Sequence, residues 1–166
     1  ISMDLTPRIY TTYEDLRVYC DRVAGAVGRC CLHVWGFHDP DAMETADDCG
    51  MALQMTNILR DLGEDAAMGR IYLPQEDLDH FGVAAQDLAA GHVDEPFREL
   101  MRFEISRARD HYEASERLFE QIDSTGRPVL RAMLRVYGGL LGRIERVDYD
   151  VFTRRVRLPA WRKALI

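Results

Sequence analysis

The sequence predicts an all-α protein. Apolar residues recur at helical spacing along most of the chain, and the alternation of a half-buried strand is hard to find. No internal repeat, low-complexity tract or long linker divides it, and 166 residues suit one compact domain. A chain of this size buries roughly 70% of its unfolded surface, so packing needs no disulfide or metal staple.

The elements follow in order. Thr11 and Thr12 ahead of Glu14 and Asp15 mark a helix start with acidic first-turn residues. That helix runs through Leu16, Tyr19, Val23 and Val27 towards Trp35, and His38-Asp39-Pro40 breaks the chain after it. A second long helix is expected from about Ala42 to Gly69, with Met51, Met55, Ile58 and Leu62 on its apolar side. Pro74, Gly82 and Gly91 make residues 70–93 a connector with one or two short helices. A long charged helix follows from about Pro96 to Ile122, its buried side marked by Phe97, Leu100, Phe103 and Leu118. Ser124-Thr125-Gly126 turn the chain, and Pro128 suits the first turn of a helix over about 128–146. A short helix is expected around Pro159–Leu165.

Composition excludes several classes. With 47% hydrophobic and 30% charged residues, wholesale disorder is ruled out. A net charge of −7 argues against a nonspecific nucleic-acid binder. No run of about 18 apolar residues could span a membrane. The opening ISMDLTPRIY lacks the apolar stretch of a signal peptide. Cys20, Cys30, Cys31 and Cys49 form no C-x-x-C pair, and read as reduced, mostly buried thiols of a cytoplasmic protein. His33, His38, His80, His92 and His111 show no zinc-ligand spacing towards them.

The stretch that carries chemistry is Gln54 to Asp65. On a helix, Gln54, Asn57, Asp61 and Asp65 share an arc of about 80°, the last three about 6 Å apart along the axis. This stripe borders the apolar face instead of opposing it, where a cavity could open. Two carboxylates and an amide oxygen are hard ligands suited to Mg²⁺ or Mn²⁺, which bind diphosphates with water completing the shell. Spacing alone favours the plainer reading of a solvated acidic face. Like charges at i, i+4 cost only a few tenths of a kcal/mol, so no function is demanded. Arg70 and Tyr72 follow in Gly69-Arg70-Ile71-Tyr72-Leu73-Pro74, where an arginine suits phosphate oxygens. They could also be an ordinary helix end.

In the first helix, Tyr19, Val23 and Val27 share one face, with Ala24 and Gly28 beside them. Interior glycines cost about 1 kcal/mol each relative to alanine. Close helix packing would explain them, and so would the smooth wall of a cavity for a long apolar ligand.

Together, YCDRVAGAVG (19–28) and ALQMTNILRDLGEDAAMGRIYLPQEDL (52–78) resemble the squalene/phytoene synthase family, as does the ending RIERVDYDVFTRRVRLP. The resemblance implies the all-α class I isoprenoid synthase bundle. It implies head-to-head condensation of two prenyl diphosphates, farnesyl or geranylgeranyl. The route passes through a cyclopropylcarbinyl diphosphate to presqualene diphosphate, squalene or phytoene, in carotenoid or hopanoid biosynthesis. By this resemblance Asn57, Asp61 and Asp65 are the Mg²⁺ ligands, and Asp61, Asp65 and Tyr72 are catalytic. Tyr19, Val23, Val27, Gly28, Gln54, Arg70, Tyr137 and Arg154 touch substrate. Tyr137 could equally be a core aromatic, and Arg154 a surface charge. NADPH use is left open, and greasy substrates are compatible with peripheral membrane contact.

One departure stands out. The family's earlier D-x-x-x-D motif, which faces the second across the cavity, has no counterpart before Tyr19. With Ile1 first, residues 1–166 are expected to be the C-terminal portion of a single isoprenoid-synthase-like domain lacking its N-terminal helices, inactive by itself. The alternative is a noncatalytic prenyl-diphosphate-binding or accessory helical subunit.

Overall fold

The computed structural model describes residues 8–153 and 155–157. Helices α1 (Tyr13–Cys20) and α2 (Ala26–Trp35) are joined without a break by one π-helical turn, Asp21–Gly25. Then come α3 (Ala42–Ala67), α4 (Gln75–Phe81), α5 (Ala85–Ala90), α6 (Glu95–Ser115), α7 (Leu118–Gln121) and α8 (Arg127–Arg146). Among the described residues, β-type pairing is confined to one antiparallel bridge between Phe37 and Ile122.

Local chemistry sets the ends. Thr12 caps α1 by a reciprocal box: its hydroxyl accepts from the Asp15 amide at 3.2 Å, and its own amide donates to Asp15 Oδ2 at 2.9 Å. Gly69, at φ +72°, takes the left-handed conformation that stops α3. Asp94 caps α6, accepting from the Phe97 amide at 3.0 Å.

α3 is the central helix. It touches α1, the π turn, α2, α5, α6, α7 and α8. Its Met51, Met55, Ile58, Leu59 and Leu62 join Phe97, Leu100, Met101, Ile105 and Ala108 of α6 in the larger core. Ala42, Ala46 and Cys49 join Leu32, Leu118, Ile122 and Leu130 in a second cluster.

Four expectations need correction. The first helix contains a π turn, at the place where it crosses α3 most closely. A Cβ on Gly50 would stand 2.9 Å from the Gly25 nitrogen and 3.0 Å from the Ala24 carbonyl carbon. The charged helix ends at Ser115, not Ile122, where the buried Ser115 hydroxyl donates to the Tyr112 carbonyl at 2.7 Å. Phe103 is 40% exposed, covered by a tilted contact with Phe81 and by the Arg107 guanidinium. Of the cysteines only Cys20 and Cys49 are buried, which pushes each thiol up to about 12, while Cys30 is exposed. The helix expected around Pro159–Leu165 lies outside the described residues.

Candidate active site

An apolar cavity of about 300 Å³ opens between α2, α3 and α8. Val23, Val27 and Gly28 line one wall, and Leu53, Gln54 and Asn57 of α3 the other. Tyr137 of α8 lines it too. Six residues named from sequence, spread over more than 110 positions, therefore meet at one hollow. Gly28 both packs closely on α3 and lines the hollow. A Cβ on Gly28 would lie 3.1 Å from the Ala46 carbonyl oxygen, while Gly28 itself faces the cavity.

The polar stripe continues from this cavity along α3. Gln54 Oε1 accepts a long 3.5 Å contact from Asn57 Nδ2. One turn on, the Asp61 carboxylate is gripped by two arginines. Arg60 Nε donates to Oδ1 at 2.8 Å and Arg60 Nη2 to Oδ2. Arg155 Nη2 reaches the same oxygens at 2.9 and 3.0 Å. The Asp61 contact in turn holds Arg60 above its ordinary value, against the opposing effect of burial. Another turn on, burial pushes the Asp65 carboxyl up. The negative charges of Asp61 and Glu64 add to that, and Arg70 and Arg155 oppose it. Arg70 is held at the helix end, its amide donating to the Asp65 carbonyl at 2.9 Å.

Tyr19 and Tyr72 sit elsewhere. Their rings stack at 5.2 Å, and Tyr10 completes a three-ring cluster at 5.4 Å from Tyr19 and 5.9 Å from Tyr72. Tyr19 is 5% exposed. The cluster pins the segment after α3 onto α1. Arg154 lies outside the described residues. Arg60 and Arg155 are the site residues that sequence reasoning passed over. Arg60 stood in plain view beside Asp61. Arg155 had no signal, because 94 residues separate it from its partner.

The donor set fits a hard divalent ion in part. α3 presents two carboxylates and an amide oxygen one turn apart, where burial, and then the neighbouring carboxylates, raise Asp65. Among the described residues no group of three or more His, Cys, Asp or Glu side chains stands ready to hold a metal. A Mg²⁺ ion held by one or two carboxylates takes its remaining oxygens from phosphate and water.

The model of the squalene/phytoene synthase family matches residues 1–162. The chain is 44% identical over 173 aligned positions to the 15-cis-phytoene synthase of Synechococcus elongatus, covering 97% of this chain and 56% of that protein. It is 37% identical to phytoene synthase 2 of Solanum lycopersicum, covering 98% of this chain and 54% of that one. Among solved structures, a dehydrosqualene synthase superposes with a TM-score of 0.86 at 34% identity, over 95% of this chain and 56% of that chain. The squalene synthase HpnC of Alicyclobacillus acidocaldarius gives 0.84 at 31% identity, over 90% and 57%. The chain thus spans about half the length of the curated relatives it matches. With its helical architecture and its sequence in agreement, the chain belongs to the squalene/phytoene synthase family.

Proposed function

We propose that the protein carrying this chain joins two prenyl diphosphates head to head, and that residues 1–166 form part of a single isoprenoid-synthase-like domain. One observation carries the reading: Asp61 and Asp65, with Arg60 beside them and Arg70 just past the helix end, follow on α3 after the residues that line a cavity with apolar walls. Anionic headgroup and apolar tail are both provided for, in the right order.

In this reading Val23, Val27, Gly28 and Leu53 hold the prenyl chain and keep water from an allylic cation. Gln54 and Asn57 sit where tail meets headgroup. Arg60 and Arg70 orient the diphosphate through charge-assisted hydrogen bonds. Asn57, Asp61 and Asp65 would hold Mg²⁺, or Mn²⁺, which supplies electrostatic stabilisation of the leaving diphosphate. Tyr137 closes the cavity wall from α8, where it would lie against the bound prenyl diphosphate. Tyr19 and Tyr72 act by stacking, which fixes the segment that carries Arg70. The prenyl diphosphates are the partners this site fits. Among the described residues no helix is long and apolar enough to cross a membrane.

The test is Asp61→Ala in the intact protein, assayed with farnesyl and geranylgeranyl diphosphate and Mg²⁺, with phytoene as the first product sought. Turnover should fall by about 10²-fold or more. Unchanged turnover overturns the role of Asp61. Binding of prenyl diphosphate without any product from the unmodified protein favours a noncatalytic binding subunit.

A further inference from the structure

After α8 the chain doubles back over α3. Asp148 and Tyr149 take left-handed conformations, φ +55° and +63°, and the Tyr149 amide donates to the Ile144 carbonyl at 3.0 Å. Asp150 Oδ1 then accepts from the amides of Phe152 at 3.1 Å and Thr153 at 3.0 Å. The segment crosses α3 at Gly63. A Cβ there would stand 2.8 Å from the Val151 carbonyl oxygen and 3.0 Å from Phe152 Cα. Phe152 packs on Phe97 at 5.1 Å, and both Val151 and Val156 are buried. Arg155 is thus flanked by the buried Val151 and Val156, and it meets α3 at Asp61, two residues before Gly63.

There it meets a carboxylate that is already engaged. A carboxylate offers about four lone-pair sites. Arg60 occupies both oxygens of Asp61 with two nitrogens, fork to fork. Arg155 straddles the same two oxygens with the single nitrogen Nη2, and its Nη1 lies 3.5 Å from Glu64. A cation that binds through Asp61 has to displace one of the two. Arg60 has the better geometry and is 18% exposed, whereas Arg155 shares one nitrogen and is 36% exposed.

We propose that Arg155, delivered by the segment seated at Gly63, is a positioning residue: a resident counter-ion of Asp61 that a divalent cation must displace. This rests on the metal-and-diphosphate reading above. Arg155 keeps the carboxylate aimed, and it sets the concentration at which a divalent ion takes over. A purely structural arginine would fasten the segment without opposing the metal.

Mn²⁺ binding to the intact protein, followed by electron paramagnetic resonance, separates these roles without any assay of turnover. Arg155→Gln should bind Mn²⁺ about threefold to tenfold more tightly than the parent. Arg155→Lys, which keeps the charge, should fall between. Gly63→Ala, which shifts the segment and leaves every charge in place, should also tighten binding. Arg157→Gln removes an equal charge from an exposed position two residues on, and should leave the affinity unchanged. Unchanged or weaker Mn²⁺ binding in Arg155→Gln overturns the proposal, as does an equal tightening in Arg157→Gln. Asp61→Asn distinguishes the two levels. If it abolishes binding while Arg155→Gln has no effect, only the Arg155 assignment falls. If it leaves binding intact, the metal role of Asp61 falls and takes this proposal with it.

Discussion

The carbonyl oxygen of Val151 lies 2.8 Å from the point where a Cβ on Gly63 would stand. Gly63 sits midway between Asp61 and Asp65, inside a helix, where glycine costs about 1 kcal/mol relative to alanine. The close crossing explains that cost. Gly63→Ala should destabilise the protein by about 1–3 kcal/mol despite its better helix propensity, because backbone and not a flexible side chain must move. Urea unfolding measures it, and a stabilised variant would mean that the segment yields without strain.

Gly50 and Gly138 should respond with opposite signs. A Cβ on Gly50 meets backbone of the π turn on both near sides, at 2.9 and 3.0 Å. One on Gly138 meets only Tyr112 Cε1, at 4.0 Å. Gly50→Ala should lower stability by about 1–3 kcal/mol, and Gly138→Ala should raise it by about 0.4–1 kcal/mol. Melting temperatures of the two variants check both signs in one experiment.

Leu53 is half-buried in the cavity wall, next to Gln54 and one turn before Asn57. Leu53→Trp adds volume where the prenyl tail would lie. Turnover of geranylgeranyl diphosphate should fall about tenfold relative to farnesyl diphosphate, the scale on which apolar pockets sense added methylenes. An unchanged ratio would move the tail out of this cavity.

Glu104 makes the stability depend on pH. It is fully buried on α6, where Arg107 Nη1 donates to its two oxygens at 3.2 and 3.1 Å and to Asp77 Oδ2 at 2.7 Å. Burial pushes its carboxyl from 4.5 up to about 8; Arg107 opposes this and Asp77 adds to it. The folded state therefore keeps a proton that the unfolded chain releases. The stabilisation is full below the unfolded value of 4.5 and is lost as pH rises through about 8. The melting temperature should decline between those values, and Glu104→Gln should flatten the decline, matching the parent near pH 5 and exceeding it near pH 8. A parallel decline in the variant would place the titration elsewhere.

The chain's local chemistry was readable without coordinates. Thr12 with Asp15, the Gly69 stop and the start near Pro96 set helix ends through contacts a few residues long, while the Asp94 cap of that helix is evident only in the structure. Helical periodicity placed Met51, Met55, Ile58 and Leu62 in the core and lined Gln54, Asn57, Asp61 and Asp65 along one edge. Those features depend only on a repeat of 3.6 residues per turn and on caps.

Contacts across the fold were decided by tertiary structure. Nothing in the sequence pairs Arg155 with Asp61, or explains Gly63 by the return of the chain over it. The hydrogen-bonded chain from Asp48 through His111 to Tyr13, at 2.8 and 2.7 Å, ties α3, α6 and α1 over separations of 63 and 98 residues. Tyr19 and Tyr72, each beside a site motif in sequence, also stack on one another and on Tyr10, a meeting of residues 53 positions apart that no local pattern announces. Periodicity fixes which face a side chain occupies; which partner meets that face is set by how the helices cross, and no repeat in the sequence encodes the crossing.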